Sequence, residues 1–334
     1  MLYTLFGLTR RPLISIGIII LLILSRLNAY SQKLPVTRVP IDSGITKQTF
    51  TYAIKDTSTL RLDIYTKDSF NNATKRPCVI FVFGGAFIGG QRDNSIYYNY
   101  FNFLAAHNYI VASISYRLGL RGVKKVSVFH TAPLKNAIEM AVEDLYDATG
   151  WLVNHADSIE IDTSKIILSG SSAGAITILQ AEFFKENNKP VAKKLPPGFQ
   201  YAGVISFSGA ILSYNGKPKY ADEPAPTLFF HGTKDKIVPY KKIHLFNKGF
   251  YGSSSIAGTF KKNHYPYYIL REEDLGHEVA VLPMYSQLPV IQYFLDNYVM
   301  QKKPYQTDMS FKNFNEPLMP NPTTKELLNR LQSR

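Results

Sequence analysis

Three short runs of nearly unbroken apolar residues, CVIFVF (78–83), YIVASISY (109–116) and KIILSG (165–170), limit what this chain can fold into. Such runs suit strands buried on both faces, which occur where helices cover both sides of a parallel sheet. Between and after them the spacing turns helical. Residues 95–107 show it, and Leu134 to Asn154 repeat it through Ile138, Ala141, Val142, Leu145, Ala148 and Leu152. AGVISFSG (202–209), APTLFFHG (225–232) and YPYYILRE (265–272) read as further strands, and LPVIQYFLDNYV (288–299) as a closing helix. Ahead of all these, TFTYAI (49–54) and LRLDIY (60–65) alternate apolar and polar residues around KDTST, the pattern of an antiparallel hairpin. The expected fold is α/β, with a mostly parallel, doubly wound sheet, a leading antiparallel hairpin and helices on both faces. Residues 117–133 read as a linker on the ligand-binding end of that sheet, and 249–264 as a Gly/Ser-rich loop.

The flanks read differently. Residues 1–31 contain no acid, carry Arg10 and Arg11 before the apolar stretch Leu13 to Leu24, and end in small residues at Ala29 and Ser31. That order predicts a secretory signal peptide, and Arg26 interrupts the run before it is long enough to span a bilayer. An extension over 32–48, a catalytic domain over 49–299 and a polar tail over 300–334 with a short helix at 323–332 complete the expected layout. The protein is expected to be exported, periplasmic or extracellular, and free of the membrane after cleavage. The formal charge is +13, but the lysines come as scattered pairs such as Lys124-Lys125, Lys241-Lys242 and Lys302-Lys303. Scattered pairs describe a solvated basic surface, and no nucleic-acid partner is expected. A single cysteine, Cys78, excludes an internal disulfide, and no Cys/His cluster has metal-ligand spacing. No metal or cofactor is expected.

The chemistry concentrates at Gly170-Ser171-Ser172-Ala173-Gly174. A serine between glycines at −2 and +2, after a strand and before a helix, forms a sharp turn that lifts its hydroxyl above the sheet. The glycines allow backbone to approach where a Cβ would clash. Only Ser172, not Ser171, has both glycines, so Ser172 is the candidate nucleophile. A serine hydroxyl needs a base, and the base needs a carboxylate behind it. His277, in DLGHEVA after the last strand, is the candidate base, and Asp235, in HGTKDKIVP, the candidate acid. His231 reads as structural. His130 and His264 lie in loops and are lesser candidates for substrate contact. Glu273 and Asp274 compete with Asp235 but leave the same strand end as His277. The order Ser172, Asp235, His277 is the one used by α/β-hydrolases.

With FGGAF (83–87), GSSAG (170–174), HGTKD (231–235) and SYRL (115–118) in this order, the chain resembles the hormone-sensitive-lipase-like and feruloyl/acetyl-esterase-like branch of the α/β-hydrolases. The stretch Ala141 to Ile161 adds to the resemblance, which covers about residues 50–299. It implies the α/β-hydrolase fold and a serine carboxylesterase acting through an acyl-enzyme on small-molecule or polysaccharide-linked esters. It also implies an oxyanion hole of backbone amides from Gly85, Ala86 and Ala173. Phe83 stands where the family has a histidine that braces this loop by hydrogen bonding. Ala86 replaces a third glycine, and Ala175 stands where many members have glycine. An arylformamidase-type amidase, a prolyl-oligopeptidase-type peptidase and a silent hydrolase-fold binding protein remain as alternatives.

Overall fold

The computed structural model describes residues 44–67, 74–123 and 131–312. The expected signal peptide, most of the extension after it, His130 and the helix expected at 323–332 lie outside the described residues. The chain opens with the hairpin β1 (Ile45–Lys55) and β2 (Ser58–Lys67), turned at Asp56 with φ 51°. Aspartate tolerates that left-handed conformation better than most residues. There follow β3 (Arg76–Val82), α1 (Tyr98–Ala106), β4 (Ile110–Ile114), α2 (Ala132–Asn154), β5 (Ile161–Ser171) and α3 (Ala173–Glu186). Then come β6 (Gly203–Phe207), β7 (Ala210–Ser213), β8 (Thr227–Gly232), β9 (Lys242–Leu245), β10 (Lys248–Gly252) and α4 (Ser253–Lys262). The chain continues through β11 (Tyr267–Glu272), α5 (Leu288–Phe294, extended by a π turn through Met300) and β12 (Gln306–Phe311).

Nine strands form one sheet in the order β1-β2-β4-β3-β5-β6-β8-β11-β12. The pairs β1/β2 and β2/β4 are antiparallel and all later neighbours are parallel. The central strands β3, β4, β6 and β8 are buried almost throughout, as their unbroken apolar runs require. Helices α2 and α3 pack together on one side, and α1 meets the turn at Pro283–Ser286, bonded through Asn99 to the Met284 carbonyl. Aromatic rings knit these layers: Phe81 lies 5.0 Å from Phe101, and Phe207 stacks on Phe230 at 5.3 Å. Cys78 is buried within β3, and burial pushes its thiol pKa up.

Two expectations are corrected. The segment 249–264 is not a loop: it finishes β10 and then forms α4, with Ile256, Ala257 and Phe260 buried. Its serines and Gly258 masked an apolar spacing that only packing made decisive. The chain beyond Val299 is not merely a polar tail, because β12 adds a ninth strand beside β11. Arg271 grips Asp308 with two hydrogen bonds of 2.6 and 2.7 Å, and Tyr298 bonds Thr307 at 2.6 Å. An edge strand with both faces largely exposed has no apolar signature to read. Strands of the sheet thus lie on both sides of the expected 49–299 bounds, starting at Ile45 and reaching Phe311.

Candidate active site

Strand β5 delivers the chain to Ser172 and α3 carries it away. Between them Ser172 adopts φ 52°, ψ −115°, a conformation that β-carbon sterics disfavour for any residue but glycine. Hydrogen bonds hold it there, from the Ser172 amide to the Phe207 carbonyl and from the Ile176 amide to the Ser172 carbonyl, both 2.9 Å. The flanking glycines are sterically required. A Cβ on Gly170 would stand 2.5 Å from the Gly174 carbonyl oxygen, and one on Gly174 would overlap the Val82 carbonyl. Ser171 points elsewhere, donating to the Ala280 carbonyl at 2.8 Å.

The structure brings the three expected side chains together from three different strand ends. Ser172 Oγ is 2.8 Å from His277 Nε2, and His277 Nδ1 is 2.8 Å from Asp235 Oδ2. Asp235 Oδ1 accepts the Ile237 and Val238 amides at 2.8 and 3.0 Å, so both carboxylate oxygens are satisfied. Burial alone would raise the Asp235 pKa. The neighbouring His277 and hydrogen bonds from His231 and His277 outweigh it and hold the group well below the usual carboxylate range. An ionised Asp235 can only accept, which fixes the His277 proton on Nδ1 and leaves Nε2 free to accept from Ser172. The Asp235 side chain is 0% exposed and that of His277 is 16%, so the relay opens to solvent at its serine end. Glu273 and Asp274 do not compete: Glu273 accepts from Thr233 and Ser310, and Asp274 pairs with Lys312.

The loop after β3 lies against this turn. A Cβ on Gly84 would stand 3.2 Å from Ser172 Cβ. The Gly84 amide is occupied, donating to the Tyr97 hydroxyl at 3.2 Å. Those of Gly85 and Ala86 donate to no other group among the described residues, and both residues are exposed. The Ala173 amide begins α3, where helix geometry provides no intrahelical acceptor. Phe83 braces the loop through packing of its ring rather than through a side-chain hydrogen bond. Its ring packs 4.5 Å from that of Tyr116, and the Tyr116 hydroxyl donates to the Phe83 carbonyl at 3.0 Å. Farther along, the Leu120 amide donates to the Phe87 carbonyl at 3.0 Å, so the chain just after β4 supports the same loop.

Sequence reasoning did not find Tyr97 and Tyr116 as supports of this loop, since nothing in their spacing relates them to FGGAF. Nor did it find how His231 is used. That ring is fully buried, bonded to Ser253 and the Val238 carbonyl at 2.8 and 3.1 Å, with Nε2 3.4 Å from Asp235 Oδ2. Arg117, in the SYRL segment, chelates the fully buried Asp144, which also pairs with Lys55. Away from the triad, a cavity of about 790 Å³ lies between α2, α3 and residues 212–219, lined by Met140, Phe183 and Tyr214 among others.

Residues 62–211 match the BD-FAE family profile, in line with the hormone-sensitive-lipase-like resemblance. Esterase 2 of Thermogutta terrifontis in its propionate-bound form superposes with a TM-score of 0.58 at 22% identity, over 76% of this chain and 94% of that one. The same protein phosphorylated by paraoxon gives 0.56 at 20% identity, again over 76% and 94%. A curated relative, acetylcholinesterase of Gallus gallus, is 28% identical over 119 residues, which is 36% of this chain and only 15% of that protein's length. The sheet order, the strained serine turn and these likenesses lead to one conclusion: the chain has the α/β-hydrolase fold, and its residues 62–211 are similar to the BD-FAE family.

Proposed function

We propose that the chain is a serine carboxylesterase, a reading carried by one observation: the unbroken relay Ser172–His277–Asp235, each link 2.8 Å long. Ser172 attacks the ester carbonyl carbon as His277 Nε2 takes its proton, while Asp235 stabilises the imidazolium. The tetrahedral oxyanion lies against the amides of Gly85, Ala86 and Ala173. As the intermediate collapses, His277 returns the proton to the leaving alcohol and the acyl group stays on Ser172. Water, deprotonated by His277, then adds to the acyl carbon. Collapse of that second intermediate releases the acid and reprotonates Ser172.

The propionate-bound form of the structural neighbour favours a short acyl group as first probe. Acyl groups on polysaccharide are a second substrate class within the same reading. Export of the protein is inferred from the charge and apolar order of residues 1–31. The deciding experiment compares wild type with Ser172→Ala on p-nitrophenyl acetate, p-nitrophenyl propionate and acetylated xylan, alongside fluorophosphonate labelling. Wild type is expected to label and turn over, and Ser172→Ala to do neither while remaining folded. Turnover by the folded variant would overturn the assignment.

A further inference from the structure

The chain between Asp235 and α4 leaves the sheet as the hairpin β9–β10, whose outer strand is exposed at every residue. Its apolar side chains are large and uncovered: Phe246 is 88% exposed, Ile243 50% and Leu245 49%, with Ile237 nearby at 46%. Folding does not explain a phenylalanine at this tip. Phe246 sits at φ 53°, where hairpin turns favour glycine or asparagine, and it buries almost nothing against its own chain. A cluster of this kind on a protein surface marks a contact site.

The surrounding charge says what the contact is with. From Lys236 to Arg271 the sequence contains no acidic residue. Lys236, Lys241 and Lys242 are exposed and form no ion pair with any described residue, while Lys248 lies over the Tyr214 ring at 5.2 Å. A second copy of this chain is a poor partner, because a two-fold contact would set Lys241 and Lys242 against their own equivalents. The lysines also blunt the free β9 edge against strand pairing. An acidic polysaccharide would satisfy the ammonium groups but leave Leu245 and Phe246 in water.

We propose that this hairpin docks the protein on an anionic phospholipid surface, with Phe246 and Leu245 entering the headgroup–acyl boundary and the lysines facing the phosphates. The contact differs from the expectation of a membrane-free protein: Lys241, Lys242, Ile243, Leu245, Phe246 and Lys248 are sequence neighbours, and the fold leaves the apolar ones uncovered. The hairpin is fastened to the domain by its pairing with β7, and the bond from the Gly252 amide to the Lys241 carbonyl, 2.7 Å, closes its base. It rises from the rim that holds Asp235, so docking would present the active-site mouth to the interface. That consequence rests on the esterase reading; the docking itself does not.

The test uses the full chain carrying Phe246→Trp, with wild type, whose one tryptophan is Trp151, as baseline. Vesicles are phosphatidylcholine alone, or phosphatidylcholine with phosphatidylglycerol, with brominated acyl chains as quencher. The expected result is a blue shift and bromolipid quenching of the introduced tryptophan only with the anionic vesicles, weakened by salt. In the same background, Lys241→Glu with Lys242→Glu should weaken vesicle affinity by more than about tenfold. Failure to sediment with anionic vesicles overturns the proposal. So does sedimentation without quenching at position 246, which would put the contact elsewhere on the chain. A concentration-dependent blue shift without lipid would instead assign the hairpin to self-association. Retention on an acidic polysaccharide column with no response to vesicles would assign it to glycan.

Discussion

The Tyr116 hydroxyl donates to the Phe83 carbonyl oxygen at 3.0 Å while the two rings pack 4.5 Å apart. Tyr116 ends the run after β4 and Phe83 opens the loop that carries Gly85 and Ala86, so one side chain holds this loop by both faces of its chemistry. Tyr116→Phe keeps the ring and removes the donor, leaving a buried carbonyl unpaired at a cost of about 1–2 kcal/mol. The expected outcome is a lower kcat on p-nitrophenyl acetate with KM little changed, beside a modest loss in urea stability. A stability loss with unaltered kcat would show that the bond serves the fold alone.

Gly174 faces the Val82 carbonyl with no room for a side chain. Gly174→Ala should therefore push α3 off β3 and destabilise the domain by about 3 kcal/mol or more, the range of severe overpacking. Urea denaturation monitored by circular dichroism measures it. An unchanged midpoint would mean that the turn relaxes where the geometry leaves no space.

Asp235 holds the His277 proton on Nδ1 because it accepts there as an anion. Asp235→Asn can donate its amide proton instead and so favours the wrong imidazole tautomer. By analogy with other serine triads, kcat should fall by about 10³ to 10⁴ while fluorophosphonate labelling slows in parallel. Loss of less than about tenfold would require another group to orient His277.

Glu272 closes β11 in a buried setting. Burial, with the nearby Glu278 adding to it against a Gln287 hydrogen bond, raises its pKa from 4.5 to about 7. Below pH 4.5 the group is protonated whether the chain is folded or unfolded, so it does not affect stability there. As pH rises toward 7 the unfolded chain ionises first, and stability is lost, by at most about 3 kcal/mol once both states are ionised. Glu272→Gln should then be more stable than wild type at pH 8 and no more stable at pH 4, by thermal unfolding at the two values. The reverse order would contradict a raised pKa.

Much of this was legible in the sequence because it depends on local patterns. Unbroken apolar runs such as CVIFVF can be buried only between two layers, and a serine flanked by Gly170 and Gly174 between strand and helix permits one kind of turn. Chain order then pointed to Asp235 and His277. What the sequence could not determine is whatever depends on distant segments meeting. The aromatic brace of Phe83 by Tyr116, the hydroxyl of Tyr97 under Gly84 and the closeness of His231 to Asp235 join residues whose spacing carries no period. The helix at 253–262 and the edge strand at 306–311 were hidden for a related reason: their local composition is neutral, and packing against β8, β10 and β11 decides their form. The exposed apolar hairpin is the clearest case. Its lysines and its Phe246 are neighbours in the sequence, but only the tertiary fold decides that nothing covers the apolar residues among them.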